Sequence, residues 1–216
     1  MFCTLEEAIE EINKKNILII QDHTNREDEG DLYIPAQYTT PKIINFMITY
    51  GKGLVSVPLI KKRAQQLQLE LMVPEEQNEE YTKCNFTLSV DAKFGIGSGI
   101  SAADRSKTIQ VLSNPDSKSE ELVKPGHIFP LIAKEGLLDK RKGHTEAAIH
   151  LSISAGLDPS GVICEIIGDD GEMLRGKELH AFALKHNIRI ISTDELIRKN
   201  TYAKKNVGNL QLFKKT

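Results

Sequence analysis

The sequence predicts one layered domain, of α/β or α+β class, in which helices pack on a β-sheet. Three observations predict it. Short β-branched or apolar runs, such as Ile17-Leu18-Ile19-Ile20 and Val162-Ile163-Cys164-Glu165-Ile166-Ile167, are too short for helices and read as strands. Capped segments of helical character lie between them. No internal repeat and no Pro/Ser-rich linker divides the 216 residues, a length that suits one core.

The elements follow in order. Thr4 caps a first helix running to about residue 15, with Glu7 at the capping-box position. Residues 17–20 form a buried strand, and the mostly charged stretch 22–31 follows it. Leu32-Tyr33-Ile34-Pro35 resumes an apolar segment that Pro35 stops. Pro41 suits the first turn of a helix over residues 42–50, ended by Gly51 and Gly53. A strand over 54–60 and a short helix over 61–66 come next, and the alternation of 86–90 predicts another strand. Gly95, Gly97 and Gly99 make a glycine-rich turn, after which Ser101 and Asp104 open a helix through Leu112. Residues 114–125 read as polar loop or short helix, and 127–133 as a strand. A helix over about 146–155 ends at Gly156, and a strand over 162–167 leads to the tight turn Asp169-Asp170-Gly171. A helix over 176–186, a strand over 188–192 and a last helix over 193–199 complete the domain.

Composition excludes several classes. The 28 Lys and Arg nearly balance the 30 Asp and Glu, giving a net charge of -2, so no general nucleic-acid binder is indicated. No apolar run approaches the ~20 residues of a membrane span. Glu6, Glu7, Glu10 and Glu11 contradict a secretory leader. The cysteines Cys3, Cys84 and Cys164 are widely spaced and form neither a zinc pattern nor a disulfide framework, so a reduced, cytoplasmic setting is the simplest reading. The domain is placed at residues 1–203, and 204–216, with Lys204, Lys205, Lys214 and Lys215, reads as a solvated basic tail.

Five segments can carry chemistry. In Asn25-Arg26-Glu27-Asp28-Glu29-Gly30-Asp31, four carboxylates crowd into five residues behind a buried strand. Like charges this close repel, while hard oxygen ligands of this kind suit Mg²⁺; the ordinary alternative is a solvated acidic loop. In Arg141-Lys142-Gly143-His144-Thr145-Glu146, basic residues and a hydroxyl sit at a helix start, where free N–H groups favour phosphate. His144 can ligate a metal or shuttle protons, or the segment is a plain cap with a surface histidine. Glu165 interrupts an apolar strand and is either a buried acid–base or a solvent-facing residue. Gly97-Ser98-Gly99-Ile100-Ser101 can approach a phosphate backbone-first, or simply enters a helix; it is neither a P-loop nor a dinucleotide fingerprint. His127, in Gly126-His127-Ile128-Phe129-Pro130, is a candidate catalyst or an ordinary hydrogen-bonded histidine.

Taken in order, the acidic run 26–31, Gly99-Ile100-Ser101-Ala102-Ala103-Asp104-Arg105, Pro125-Gly126-His127-Ile128-Phe129-Pro130-Leu131, Gly143-His144-Thr145-Glu146-Ala147-Ala148, Cys164-Glu165 and Asp169-Asp170-Gly171 resemble the 3,4-dihydroxy-2-butanone 4-phosphate synthase family from about residue 5 to residue 200. The resemblance implies a compact α+β domain with a mixed sheet and surrounding helices. It implies conversion of D-ribulose 5-phosphate to L-3,4-dihydroxy-2-butanone 4-phosphate and formate in riboflavin biosynthesis, with Mg²⁺ or Mn²⁺, two ions per site. It also implies a homodimer with active sites at the interface. Glu27 and His144 would hold metal. Arg26, Glu27, Asp31, Arg141, Lys142, Gly143, His144, Thr145, Glu165, Asp22 and Ser98 would contact substrate. His127, Glu165, Asp31 and Glu29 would be catalytic. Ser56 stands where the family usually has a cysteine, and Gly97 and Ser98 where it usually has two threonines. The family's frequent partner domain, a GTP cyclohydrolase II, is not expected, since the sequence ends at Thr216. A different Mg²⁺-dependent sugar-phosphate enzyme, or a non-catalytic protein of the same fold, would share many of these features.

Overall fold

The structure, a computed structural model, describes residues 2–206, with 200–206 described by backbone alone. Helix α1 (Leu5–Asn13) begins as expected: Glu7 N–H donates to Thr4 Oγ1, and Thr4 N–H donates to the Glu7 carboxylate. Strands β1 (Leu18–Gln21) and β2 (Gly30–Pro35) form an antiparallel pair around the acidic loop. Helix α2 (Pro41–Phe46) runs into a π-turn, Met47–Gly51, so the expected helix reaches its predicted end in a wider coil. Strand β3 (Ser56–Leu59), helix α3 (Lys61–Gln66), strand β4 (Val90–Ala92) and helix α4 (Ala102–Ser113) follow. After them come β5 (Leu122–Ile132), α5 (His144–Ser154), β6 (Gly161–Glu165), α6 (Gly176–His186), β7 (Arg189–Ser192) and α7 (Thr193–Asn206).

The strands join in the order β4-β5-β3-β6-β2-β1-β7. Pairs β1–β7 and β3–β5 are parallel and the rest antiparallel, so the sheet is mixed. Strands β1 and β2 are buried at every position because helices cover both faces. Alternation assigns the side chains. Ile19, Leu32, Ile34, Val57 and Val162 meet α2, α4 and α6 in one core, while Leu18, Ile20, Tyr33, Ile163 and Ile191 meet α1, α5 and α7 in the other. The result is one sheet between two helical layers.

Two strands differ from expectation. Residues 86–90 do not form one continuous strand; Phe86 and Thr87 make isolated bridges and only Val90–Ala92 pairs regularly. Strand β5 starts at Leu122, earlier than predicted, because Val123 and Leu122 pair with Asp91 and Ala92 on its near side. Arg63, 8% exposed, fastens the end of α4. Its guanidinium donates to the carbonyls of Val111 and Leu112 in the last turn, and of Asn114, Pro115 and Ser117 just beyond it. Helix α7 continues through Lys204 and Lys205 to Asn206, and the remainder of the expected basic tail lies outside the described residues.

Candidate functional site

The alternation that sends Tyr33 and Ile163 toward α5 sends Asp31 and Glu165 there too. These two are direct register partners in the β2–β6 pair. Helix α5 points its N-terminus at the same place and delivers His144 and Thr145, both buried. Between them lies a cleft of about 150 Å³ lined by Arg26, Glu27, Glu29, Asp31, Ser56, Arg141, His144, Thr145 and Glu165, with Glu80, Thr82, Cys84 and Phe86 closing its far wall.

The acidic loop is shaped by Asp22. Its carboxylate, closed to solvent, accepts from the backbone N–H of Glu29 at 3.0 Å and of Glu27 at 3.3 Å, and pairs with Arg26 Nη1 at 2.5 Å. Arg26 also pairs with the Glu27 carboxylate. Asp28 takes the left-handed conformation (φ 56°) that turns the chain. Arg175, ahead of α6, pairs with Glu29 and donates Nε–H to the Glu27 carbonyl at 3.1 Å. Oxygens of Glu27 and Asp31 each lie 3.8 Å from His144 Nδ1.

Burial sets the protonation states. It pushes Asp31 well above the usual carboxylate range, reinforced by Glu165 and then by the acidic loop; its Oδ1 is buried without a hydrogen-bond partner. Burial raises Glu29 as well, with Arg175 opposing. It lowers His144, against the pull of Asp22, so the imidazole is neutral near pH 7 and keeps a lone pair for a cation. Ligand atoms of Asp22, Glu27 and His144 all fall within 4.8 Å of one another, a mixed carboxylate–imidazole set that fits a divalent cation. Glu165 accepts from the backbone N–H of Leu54 at 2.8 Å, an approach that the bare Cα of Gly53 permits.

The phosphate-type features gather at one end. Gly143 caps α5, with Arg141 and Arg26 guanidinium groups packed against its Cα. Lys142 is exposed and does not line the cleft. Ser98 and His127 also lie off the cleft: Ser98 is exposed, and the His127 side chain, 42% exposed, is held by Asp91 through Nδ1 at 2.7 Å and through the His127 N–H at 3.0 Å. The structure thus brings together Arg26, Glu27, Glu29, Asp31, Arg141, His144, Thr145 and Glu165, with Asp22 organising them from behind, and keeps His127, Ser98 and Lys142 apart. Sequence reasoning missed Glu80, Thr82, Asp91 and Arg175. Thr82, Asp91 and Arg175 lie far along the chain from the site residues they bond, and Glu80 enters only through its neighbour Thr82.

Comparison with known proteins identifies the family and the fold. The sequence profile of the 3,4-dihydroxy-2-butanone 4-phosphate synthase family matches residues 6–199. The chain is 48% identical over 197 residues to the riboflavin biosynthesis protein RibBA of Bacillus mycoides, covering 91% of this chain and 49% of that protein. It is 45% identical over 197 residues to the bifunctional, chloroplastic riboflavin biosynthesis protein RIBA 1 of Arabidopsis thaliana, covering 91% of this chain and 36% of that one. It therefore spans about a third to a half of the length of these curated relatives. Among solved structures, 3,4-dihydroxy-2-butanone 4-phosphate synthase of Candida albicans is 43% identical with a TM-score of 0.84, over 92% of this chain and 98% of that one. Another 3,4-dihydroxy-2-butanone 4-phosphate synthase, in complex with two magnesium ions, is 33% identical with a TM-score of 0.88, over 97% and 100%.

Proposed function

The chain belongs to the 3,4-dihydroxy-2-butanone 4-phosphate synthase family, and on that premise we propose that it is a lyase converting D-ribulose 5-phosphate to L-3,4-dihydroxy-2-butanone 4-phosphate and formate in riboflavin biosynthesis. The observation that carries the proposal is the single cleft in which Glu27, Asp31, His144 and Glu165 face Arg141 and the start of α5. A sugar phosphate needs such a split, with anion-binding groups at one end and acid–base groups at the other.

Arg141, Gly143 and Thr145 bind the phosphate, through a guanidinium fork and the free N–H groups of the helix start. Glu27 and His144 hold metal, with Asp22 within reach. Mg²⁺, or Mn²⁺, as a pair of ions per site, supplies Lewis-acid stabilisation of negative charge on the sugar oxygens. Burial, reinforced by Glu165, raises the Asp31 carboxyl above its usual range, which suits it to give a proton to, or take one back from, the sugar. Glu165 lies opposite it, fixed by the Leu54 N–H, and Glu29 stands at the loop side. Together they supply the several proton transfers that water loss, a carbon shift and formate release require.

His127 and Ser98 lie outside their own cleft, so their contribution calls for a second copy of the chain that presents them to it: a homodimer with sites at the interface. Among the described residues no helix is long and apolar enough to cross a membrane. The three free cysteines support a reducing, cytoplasmic compartment. The deciding experiment incubates the protein with ribulose 5-phosphate and Mg²⁺ and assays formate. Sugar turnover without formate would assign a different isomerase- or aldolase-type reaction. Mixing inactive Glu27→Gln with inactive His127→Ala protein tests the interface: shared sites would restore on the order of a quarter of native activity, since half the dimers would hold one complete site.

A further inference from the structure

Arg141 is held on three sides. Its Nε–H donates to the Thr82 carbonyl at 2.9 Å, Nη2 to Thr82 Oγ1 at 2.8 Å, and Nη1 to Glu146 Oε2 at 2.7 Å. A guanidinium has five N–H groups, so one on each terminal nitrogen remains for a ligand, the spacing of a bidentate grip. The two groups that hold it are themselves fixed. Glu146 is 1% exposed, and its other oxygen accepts from the Lys134 backbone N–H at 3.0 Å. Thr82 donates its hydroxyl to Glu80 at 2.8 Å, and Glu80 also accepts from the backbone N–H groups of Thr82 and Cys84.

Glu146 differs from the carboxylates that line the cleft and resembles Asp22, which holds Arg26 from behind in the same way. Glu27, Glu29, Asp31 and Glu165 line the cleft, whereas Glu146 lies behind Arg141 with both oxygens occupied by protein. An N3 glutamate commonly reaches back to its helix cap; this one turns sideways to the arginine. Burying a carboxylate is costly unless it is paired and hydrogen-bonded; here the Lys134 N–H fixes one oxygen and Arg141 takes the other.

We infer that Glu146 and Thr82 are positioning residues that set the Arg141 fork for the substrate phosphate, an inference that rests on the reading of Arg141 as a phosphate ligand. Glu146 lies off the cleft and Thr82 lines it on the Arg141 side, so both should act on binding and not on chemistry. The test measures kcat and KM for ribulose 5-phosphate by formate release, together with Ki for inorganic phosphate as competitor. Glu146→Gln weakens one bond to Arg141, and Thr82→Val removes another together with the hydroxyl's bond to Glu80, so KM and the phosphate Ki should rise together by about tenfold, with kcat within about twofold. Thr82→Ser keeps the hydroxyl and recovers most of the loss. A fall confined to kcat, or native values throughout, would overturn the inference. Arg141→Lys separates the two layers of argument: if it leaves KM and Ki unchanged, the phosphate reading itself fails; if it raises both while Glu146→Gln and Thr82→Val do not, only the positioning role fails. Should Glu146→Gln not fold, the Thr82 pair decides.

Discussion

Replacing Gly143 by alanine separates binding from folding in one methyl group. The backbone there (φ -99°, ψ 168°) is open to any residue, so alanine brings no conformational strain. Space is the obstacle. A Cβ would sit 2.8 Å from Arg141 Cζ, overlap its Nη1, and lie 3.2 Å from Arg26 Nη2. The nearer atom, Nη1, sets the requirement: to restore ordinary contact the Arg141 guanidinium must retreat by roughly 1 Å or more, which breaks its 2.7 Å bond to Glu146. A charge-assisted bond is worth about 1.5–3 kcal/mol, so KM for ribulose 5-phosphate should rise about tenfold to a hundredfold. Glu146 keeps the Lys134 N–H but loses its cation, so the melting temperature should fall by several degrees while folding survives. Gly126→Ala is the contrast: its Cβ would overlap the backbone of Val90 and Asp91, which cannot retreat, and folding should fail. Formate-release kinetics and thermal melts of the two variants check this. A Gly143→Ala enzyme with native KM, or one that melts far below the native protein, would refute the reasoning.

Three further outcomes are expected. Glu27→Gln removes an anionic ligand while keeping shape, so formate release should fall by two orders of magnitude or more with a near-native melt; chelator should likewise stop the native enzyme and Mg²⁺ or Mn²⁺ restore it. Full turnover in excess chelator would refute the metal role. Ser56, 2% exposed beside the cleft, keeps a hydroxyl where the resembling family has a thiol; Ser56→Cys should change the rate only severalfold, and a rescue of ~10² with a thiol-like pKa in the rate profile would show that a thiolate base is needed. Asp104 accepts from the N–H groups of Gly97 and Gly99, which, foremost through Gly97, hold its carboxyl below the usual value of 3.8. A depressed carboxyl contributes stability above its unfolded pKa and loses it as pH falls through the lower folded one. The glycine turn should therefore loosen only below about pH 4, and amide exchange at Gly97 and Gly99 in Asp104→Asn protein should show that loosening at neutral pH. Unchanged exchange would refute it.

Much of this was legible in the residues. The Thr4–Glu7 box announced α1, and short apolar or β-branched runs announced β1, β2 and β6. The acidic loop and the Gly143-His144-Thr145 helix start could be picked out as chemistry because each is a local cluster. Less legible was anything decided by partners distant in sequence. Strand β5 begins before the predicted point because Asp91 and Ala92 pair with it, and nothing within Leu122-Val123 announces that. Glu146 reads as part of a helix start; only the fold shows it turned behind Arg141. Arg63 lies in the short helix expected over 61–66, where nothing announces the α4 carbonyls it binds. Which candidates share a cleft was also hidden: His127 and Glu165 look alike on paper, and the sheet places only Glu165 beside Asp31.

The pairing of Asp31 with Glu165 has a thermodynamic consequence. Carboxylates directly opposite on neighbouring antiparallel strands repel, and here the pair lies at the end of the β2–β6 ladder in the middle of the sheet. A proton or a cation in the cleft relieves that repulsion, so occupancy and cohesion of the sheet are linked quantities. By mass action a cation at a hundred times its Kd adds about 2.7 kcal/mol to folding. Thermal shift thus becomes a titration of the cleft, and a variant that unfolds early in buffer alone can still be sound when its ligand is present.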